Sequence, residues 1–457
     1  MGYCRSFTII SIHSIFVMAP KSLSIWHPFT QEALDPKPIA IERGEGVYLH
    51  TRDGRKLIDA ISSWWVNLHG HAHPLIAEAI AEQARKLEHV VFAGFTHDAA
   101  EELAKRLRGV LPPPLEHIFF SDDGSTAVEV ALKMALQFWR NLGKPRKTSI
   151  IALENAYHGD TAGAMSVGAD SDFVAAFQSL RFPVLRVPSA HCFRCPVGKQ
   201  RDTCQIDCVA PLEQLLRDRH DEIAAVIVEP LLQGAGGMIV HPVEFLQRIR
   251  QLCTQHDVLL IADEVLTGFG RSGRMFASEL AGIVPDVMCL SKGLTGGFLP
   301  LAATVCTSTV HESFYSADRS HTFFHGHSYT ANPLGCAAAI ASLKIFDSEP
   351  VFERIAAIEK IHRERAPILA KHAMVADTRM IGTVMAVELK ADDPGYFSQL
   401  RPLLYDFYLS KGILLRPLGN VVYILPPYVI TPEQLHYVHD VIAESLDRVA
   451  RMASRHP

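Results

Sequence analysis

The sequence predicts an α/β protein: a large domain with a mostly parallel central sheet flanked by helices, plus a smaller α+β domain built from both chain ends. Three observations predict it. Short, wholly apolar, β-rich runs alternate with helical windows through the middle of the chain. A Gly- and Asp-punctuated, hairpin-like stretch lies near the N-terminus. The C-terminal part sets long helical windows around a few short strands.

The elements follow in order. Residues 1–23 read as an extension. Residues 7–18 (FTIISIHSIFVM) are largely apolar and follow Arg5, as in a short signal segment, but no small-x-small cleavage pattern follows. The run is too short, and too interrupted by Ser and His, to span a bilayer. The expectation is that 1–23 is disordered, or that the start is mis-called and Met18 is the true first residue. Residues 24–69 are expected to serve the small domain and the active site, with Gly44, Gly46, Asp53 and Gly54 punctuating a hairpin pattern over 37–61. The large domain is expected over 70–345. Its strands are 117–120 (HIFF), 149–153 (SIIAL), 224–228 (AAVIV), 258–262 (VLLIA), 287–290 and 302–306, and its helices include 125–142 and 243–256. Apolar runs separated by helices imply parallel strands covered on both faces. Residues 346–457 form the C-terminal small domain, with a helix over 351–372, strands near 385–389 and 421–425, and a last helix after Thr431.

Composition narrows the function classes. The 457 residues are 48% hydrophobic and 20% charged, an ordinary globular make-up that can bury a large core without staples. The net charge is −5 with acids and bases interspersed, so neither nucleic acid nor a membrane surface is an expected partner. Nine cysteines, an odd number, argue against a secreted disulfide framework and for a reducing compartment, the cytoplasm.

Five segments carry chemistry. Asp263 ends the run VLLIA, at the strand end where α/β sheets bind ligands. Lys292 follows the strand VMCL and precedes Gly293, Gly296 and Gly297. A lysine desolvated there has a lowered pKa and can form a Schiff base. Such an amine, with a carboxylate to keep a pyridine nitrogen protonated, is what pyridoxal 5′-phosphate requires. Gly124, Ser125 and Thr126 in SDDGSTA open a helix and offer N–H groups to a phosphate. Tyr157 in AYHGD suits stacking on a flat ring. The loop FHGHSYTANP (324–333) leads into another helix entrance; its histidines lack a carboxylate or third histidine at ligand spacing. Singly, each feature has an ordinary reading: a surface lysine, a capping acid, an N-cap, a loop aromatic.

Taken in order, GST, YHGD, IADEVLTGFGR (261–271), LSKGLTGG (290–297) and HGHSYTANP resemble the class III aminotransferases of PLP fold type I, over about residues 24 to 445. That resemblance implies a homodimer with shared active sites. It implies that Lys292 carries pyridoxal 5′-phosphate and moves protons, that Asp263 pairs with the ring nitrogen, and that Tyr157 lies by the ring. Gly124 and Ser125 would hold the phosphate, joined across the dimer by His327 and Ser328. Further segments are IWHPFTQ (25–31), ISSWWVNLHGH (61–71), ALKMALQFWR (131–140), VEPLLQGAGGM (228–238) and RPLGNVVYILPPYVI (416–430). These resemble the branch that aminates 8-amino-7-oxononanoate to 7,8-diaminononanoate in biotin synthesis. There Phe29, Trp64, Gly326, Arg416 and Tyr423 would shape the substrate site. Arg416 suits a distal carboxylate, and Trp64 and Trp65 give an apolar wall, one of them expected to pack in the core. Phe29, where tyrosine is frequent, and HGHSY, where HGPTF is frequent, depart from the pattern. Tyr423 matches the S-adenosylmethionine type, so that donor is expected, with lysine the other candidate. An ornithine- or γ-aminobutyrate-type ω-aminotransferase is the alternative reading.

Cys192, Cys195, Cys204 and Cys208 form C-x2-C-x8-C-x3-C within the loop 191–208. The spacing suits a structural zinc or an iron–sulfur cluster, with free thiols or disulfides as the other readings. A scaffold whose function is this loop alone is a further alternative, opposed by the intact Lys292, Asp263 and Tyr157.

Overall fold

The computed structural model describes residues 24–35 and 37–453. The expectations for residues 1–23 lie outside the described residues. Seven strands form the central sheet: β1 Leu115–Ser121, β2 Ser149–Leu153, β3 Leu185–Val187, β4 Ile223–Val228, β5 Leu259–Asp263, β6 Val287–Leu290 and β7 Ala302–Thr307. Their order across the sheet is β1-β7-β6-β5-β4-β2-β3. Pairings β6–β5, β5–β4, β4–β2 and β2–β3 are parallel, while β7 is antiparallel to both neighbours. The reason is the connection: between β6 and β7 lies only a 3-10 turn, Lys292–Thr295, and no crossover helix to carry the chain back for a parallel strand.

Side chains alternate between two apolar layers, as strand geometry requires. Ile150, Ala152, Ile227 and Ile261 pack with Ala131, Ala135, Phe138 and Trp139 of the helix Gly124–Asn141. Ile151, Leu153, Val226 and Leu260 pack on the other face with Phe245, Leu246, Ile249 and Leu252 of the helix Val243–Gln255. Each such large side chain contributes roughly 1.5–3 kcal/mol by burial. These strands therefore read as continuous apolar runs, and polar residues collect at their ends.

Both chain ends meet in one small sheet. Strands Ile41–Glu45, Tyr48–Thr51 and Lys56–Asp59 are joined by Ile413–Leu414, which pairs parallel with the third, Ile413 opposite Ile58. A three-stranded antiparallel sheet, Val375–Ile381, Val384–Leu389 and Val421–Ile424, packs with the helices Val351–Leu369 and Pro432–Ala453. The first of these helices stops at Leu369, short of the expected 372.

Candidate active site

A cavity of about 600 Å³ opens at the C-terminal ends of the parallel strands. Asp263 ends β5; Lys292 follows β6; Gly124 and Ser125 follow β1; Tyr157 follows β2; Glu229 follows β4. All of them line the cavity. Consecutive parallel strands present their ends on one edge, so residues far apart in sequence converge there.

The helix Gly124–Asn141 starts at this edge because Asp123 caps it, accepting from the Thr126 N–H at 2.9 Å. The Thr126 hydroxyl accepts from the Asp123 N–H at 3.0 Å in return. Thr126 is thereby consumed by its own cap, and the phosphate donors suggested by the sequence reduce to Gly124 and Ser125. Close packing keeps the cradle bare. A Cβ on Gly124 would stand 2.6 Å from Val265, and one on Gly159, at φ +125°, would stand 2.0 Å from the Ser125 hydroxyl.

Asp263 is held in place. Its Oδ2 lies 2.7 Å from His158 Nδ1, and its Oδ1 accepts the Val265 N–H at 3.1 Å. Lys292 makes no hydrogen bond or ion pair among the described residues; its ammonium lies 5.1 Å over the Trp65 ring. Burial lowers its pKa below the usual lysine range, against the opposing pull of Asp263 and Glu229. Burial likewise raises Glu229 to about 7, although the N–H groups of Tyr157 and Gly234 donate to it at 3.0 Å each. Burial, then the neighbouring Asp160 carboxylate, raises the Tyr157 phenol.

The substrate end is aromatic. Ser62, Ser63, Trp64 and Trp65 have φ of 51°, 52°, 91° and 75°. A run of non-glycine residues in the left-handed region costs about 1–3 kcal/mol per residue and persists only where surroundings impose it. Asp59 imposes it here, accepting from the N–H groups of Ile61 and Ser63 and from the Ser63 hydroxyl. The turn splits the tryptophan pair. Trp65 is 4% exposed and donates to the Tyr423 hydroxyl at 3.1 Å, while Trp64 is 39% exposed. Arg416 lies 4.8 Å over the Trp64 ring and has no carboxylate partner among the described residues. Phe29 packs edge-on against Trp64 and Phe173, and Phe173 against Tyr396.

Gly326, His327 and Ser328 do not line this cavity. His327 Nδ1 instead lies 3.5 Å from Asp122 Oδ2, and Asp122 does line it. Sequence reasoning assigned no role to Asp160, Glu229, Phe173 or Tyr396, all of which line the cavity. Glu229 carried a usable signal, an acid directly after the apolar run AAVIV; Phe173 and Tyr396 carried none.

The model of the family described as aminotransferase class-III matches residues 29–446. The chain belongs to this family. Among curated relatives, the adenosylmethionine-8-amino-7-oxononanoate aminotransferase of Synechococcus elongatus is 50% identical, over 94% of this chain and 100% of its own length. The protein of that name from Geobacter sulfurreducens is 45% identical, over 93% of this chain and 96% of its own. The solved structure of the Methanocaldococcus jannaschii protein of that name superposes with a TM-score of 0.87 at 37% identity, covering 93% of this chain and 97% of that one. An amine transaminase from an uncultivated Pseudomonas species, solved in its PLP-bound form, gives a TM-score of 0.88 at 32% identity, covering 93% and 99%.

The residues of this class III aminotransferase fit pyridoxal 5′-phosphate. An unpaired lysine, an anchored carboxylate and a bare helix entrance stand around one cavity, where an amine, a ring-nitrogen partner and a phosphate cradle are needed.

The four cysteines line a second, much smaller cavity of about 20 Å³. Among the described residues, no group of three or more His, Cys, Asp or Glu side chains is placed to hold a metal ion. The four cysteines line one cavity, but the metal centre that their spacing suggested is not formed in this structure.

Proposed function

We propose that this aminotransferase converts 8-amino-7-oxononanoate to 7,8-diaminononanoate, with S-adenosylmethionine as amino donor. The observation that carries the reading is the agreement of relatives of that name along nearly the whole chain, to 50% identity. The geometry fits it. Trp64, Trp65, Phe29 and Phe173 give apolar walls for an alkyl chain, and Arg416 gives an unpaired guanidinium for its carboxylate.

When bound, pyridoxal 5′-phosphate supplies the electron sink. Gly124 and Ser125 would bind its phosphate, and Asp263 would hold a proton on its ring nitrogen. Tyr157 would lie along the ring, and the Lys292 amine would carry the group covalently. His158 orients Asp263. Once displaced by the donor amine, Lys292 would move a proton through Nζ from the carbon that loses its amino group to C4′ of the cofactor, and would run the same transfer in reverse in the second half-reaction. Burial lowers its pKa and so favours the neutral amine that accepts a proton. Tyr423, buried and held by the Trp65 N–H, forms part of the pocket wall.

The reading includes a cytoplasmic homodimer divided at residues 24–69, 70–345 and 346–457. Phe324 and Tyr329 of the 324–330 loop are exposed, and His327 and Ser328 would complete the partner's phosphate site. No helix among the described residues is long and apolar enough to cross a membrane.

The test is an absorbance titration of the PLP-loaded enzyme with S-adenosylmethionine, lysine and glutamate in turn. The visible band is expected to bleach with S-adenosylmethionine and return on adding 8-amino-7-oxononanoate. Bleaching by lysine alone would replace the donor. A band that the ketone never restores would overturn the acceptor and favour another ω-aminotransferase, a likeness the amine transaminase structure shares.

A further inference from the structure

We propose that Cys192, Cys195, Cys204 and Cys208 bind one structural zinc ion. Four thiols face a single cavity of about 20 Å³. A cavity must exceed roughly 10–15 Å³ to admit one water-sized guest. The space admits a single ion.

The surroundings match a thiolate centre. Lys199 and Arg201 line the same cavity and offset the net negative charge of four thiolates on a divalent ion. The Ile206 N–H donates to the Cys204 sulfur at 3.2 Å. Ile206, a β-branched residue, sits at φ 63°, a conformation that aims its N–H at that sulfur. A ring nitrogen of His191, which also lines the cavity, is buried without a partner and can serve another sulfur. The Cys195–Gly198 turn closes with a Gly198 N–H to Cys195 carbonyl bond of 3.1 Å, with Gly198 at φ 69°.

The sulfurs must close inward to reach zinc–thiolate bonding distance, about 2.3 Å. Cys192, Cys195 and Cys204 can, because residues 188–206 contain no helix and no strand, while Cys208 is held in the 3-10 turn Asp207–Val209 as the fixed point they close on. The ion would stiffen a loop that clamps the C-terminal sheet. Arg194 of this loop pairs with Glu388, and Glu388 also binds Arg379 at 2.8 Å. Arg379 in turn donates to the carbonyl of Met238 at 2.8 Å. None of the four cysteines lines the larger cavity, so the ion is structural and takes no part in amino transfer.

The experiment is elemental analysis of the full-length, PLP-loaded enzyme from zinc-supplemented cells, together with thiol labelling. About one zinc per chain is expected. The double variant Cys204→Ser/Cys208→Ser is expected to lose about tenfold or more of its zinc while keeping its PLP absorbance and turnover. Cys336→Ser, at a buried cysteine of the helix Pro333–Ser348, is expected to keep the zinc. In wild type, zinc ions should slow labelling of the four loop thiols, a readout that needs no variant. Chains without zinc whose loop thiols label equally fast with and without added zinc would overturn the proposal. So would loop disulfides in the intact mass, or iron in place of zinc.

Discussion

The two cavities are built in opposite ways. The large one gathers side chains from Phe29 to Tyr423 at the ends of strands far apart in sequence. The small one draws all four sulfurs from residues 192–208. The first depends on sheet order, and its polar groups are fixed by distant partners: Asp263 by His158, Trp65 by Tyr423. The second depends on chain spacing and sits in a segment without regular structure. A distributed site gains rigidity from the whole core, whereas a local site must obtain it from what it binds.

The comparison predicts large catalytic losses at the first site and none at the second. Lys292→Ala is expected to cost about 10⁴-fold or more in turnover, since among the described residues no other amine lines the cavity to move the proton. Retention of much of that rate in single-turnover assays would break the assignment. Asp263→Asn keeps the shape but removes the charge; a loss of about 10²–10³-fold in kcat is expected, with PLP still bound. Arg416→Ala should raise KM for the keto acid about 10- to 100-fold and leave the S-adenosylmethionine half-reaction nearly unchanged. An equal loss in both half-reactions would remove Arg416 from carboxylate recognition.

Glu229 sharpens the contrast through pH. Its pKa rises from 4.5 to about 7 on folding, so the folded state prefers the neutral acid. Below pH 4.5 the group is neutral folded and unfolded, and burial carries no ionisation penalty. Between 4.5 and about 7 the penalty grows, then levels off, on the order of a few kcal/mol. Denaturation of wild type and Glu229→Gln across this window should therefore show the wild type losing stability relative to the variant as pH rises. Parallel curves would place the titration elsewhere. The smallest effect is expected at the cysteine loop: Cys204→Ser/Cys208→Ser should lower the melting temperature by a few degrees, about 1 kcal/mol or more, with kcat unchanged.

Much of the first site was legible residue by residue. Asp263 and Lys292 end or follow apolar runs, and a buried parallel strand can place polar residues only at its ends. Gly124 and Ser125 were legible as a helix start. Thr126 was over-read, since spacing does not reveal that its hydroxyl closes a capping box. Which tryptophan is buried was not legible either: a left-handed turn held by Asp59 decides it, and nothing in SSWW announces that turn. Phe173 and Tyr396 were invisible because their contact crosses between distant parts of the chain.

The sequence alone determined the alternation of apolar strands and helices, the acids and amine at strand ends, and the cysteine spacing. Each is a local property, set by side-chain periodicity and by neighbours in the chain. Tertiary structure decided the strand order, the antiparallel β7, the pairing of His158 with Asp263, and the unpaired state of Arg416 over Trp64. These depend on which distant groups are brought within a few ångströms, and only packing of the whole core sets that distance.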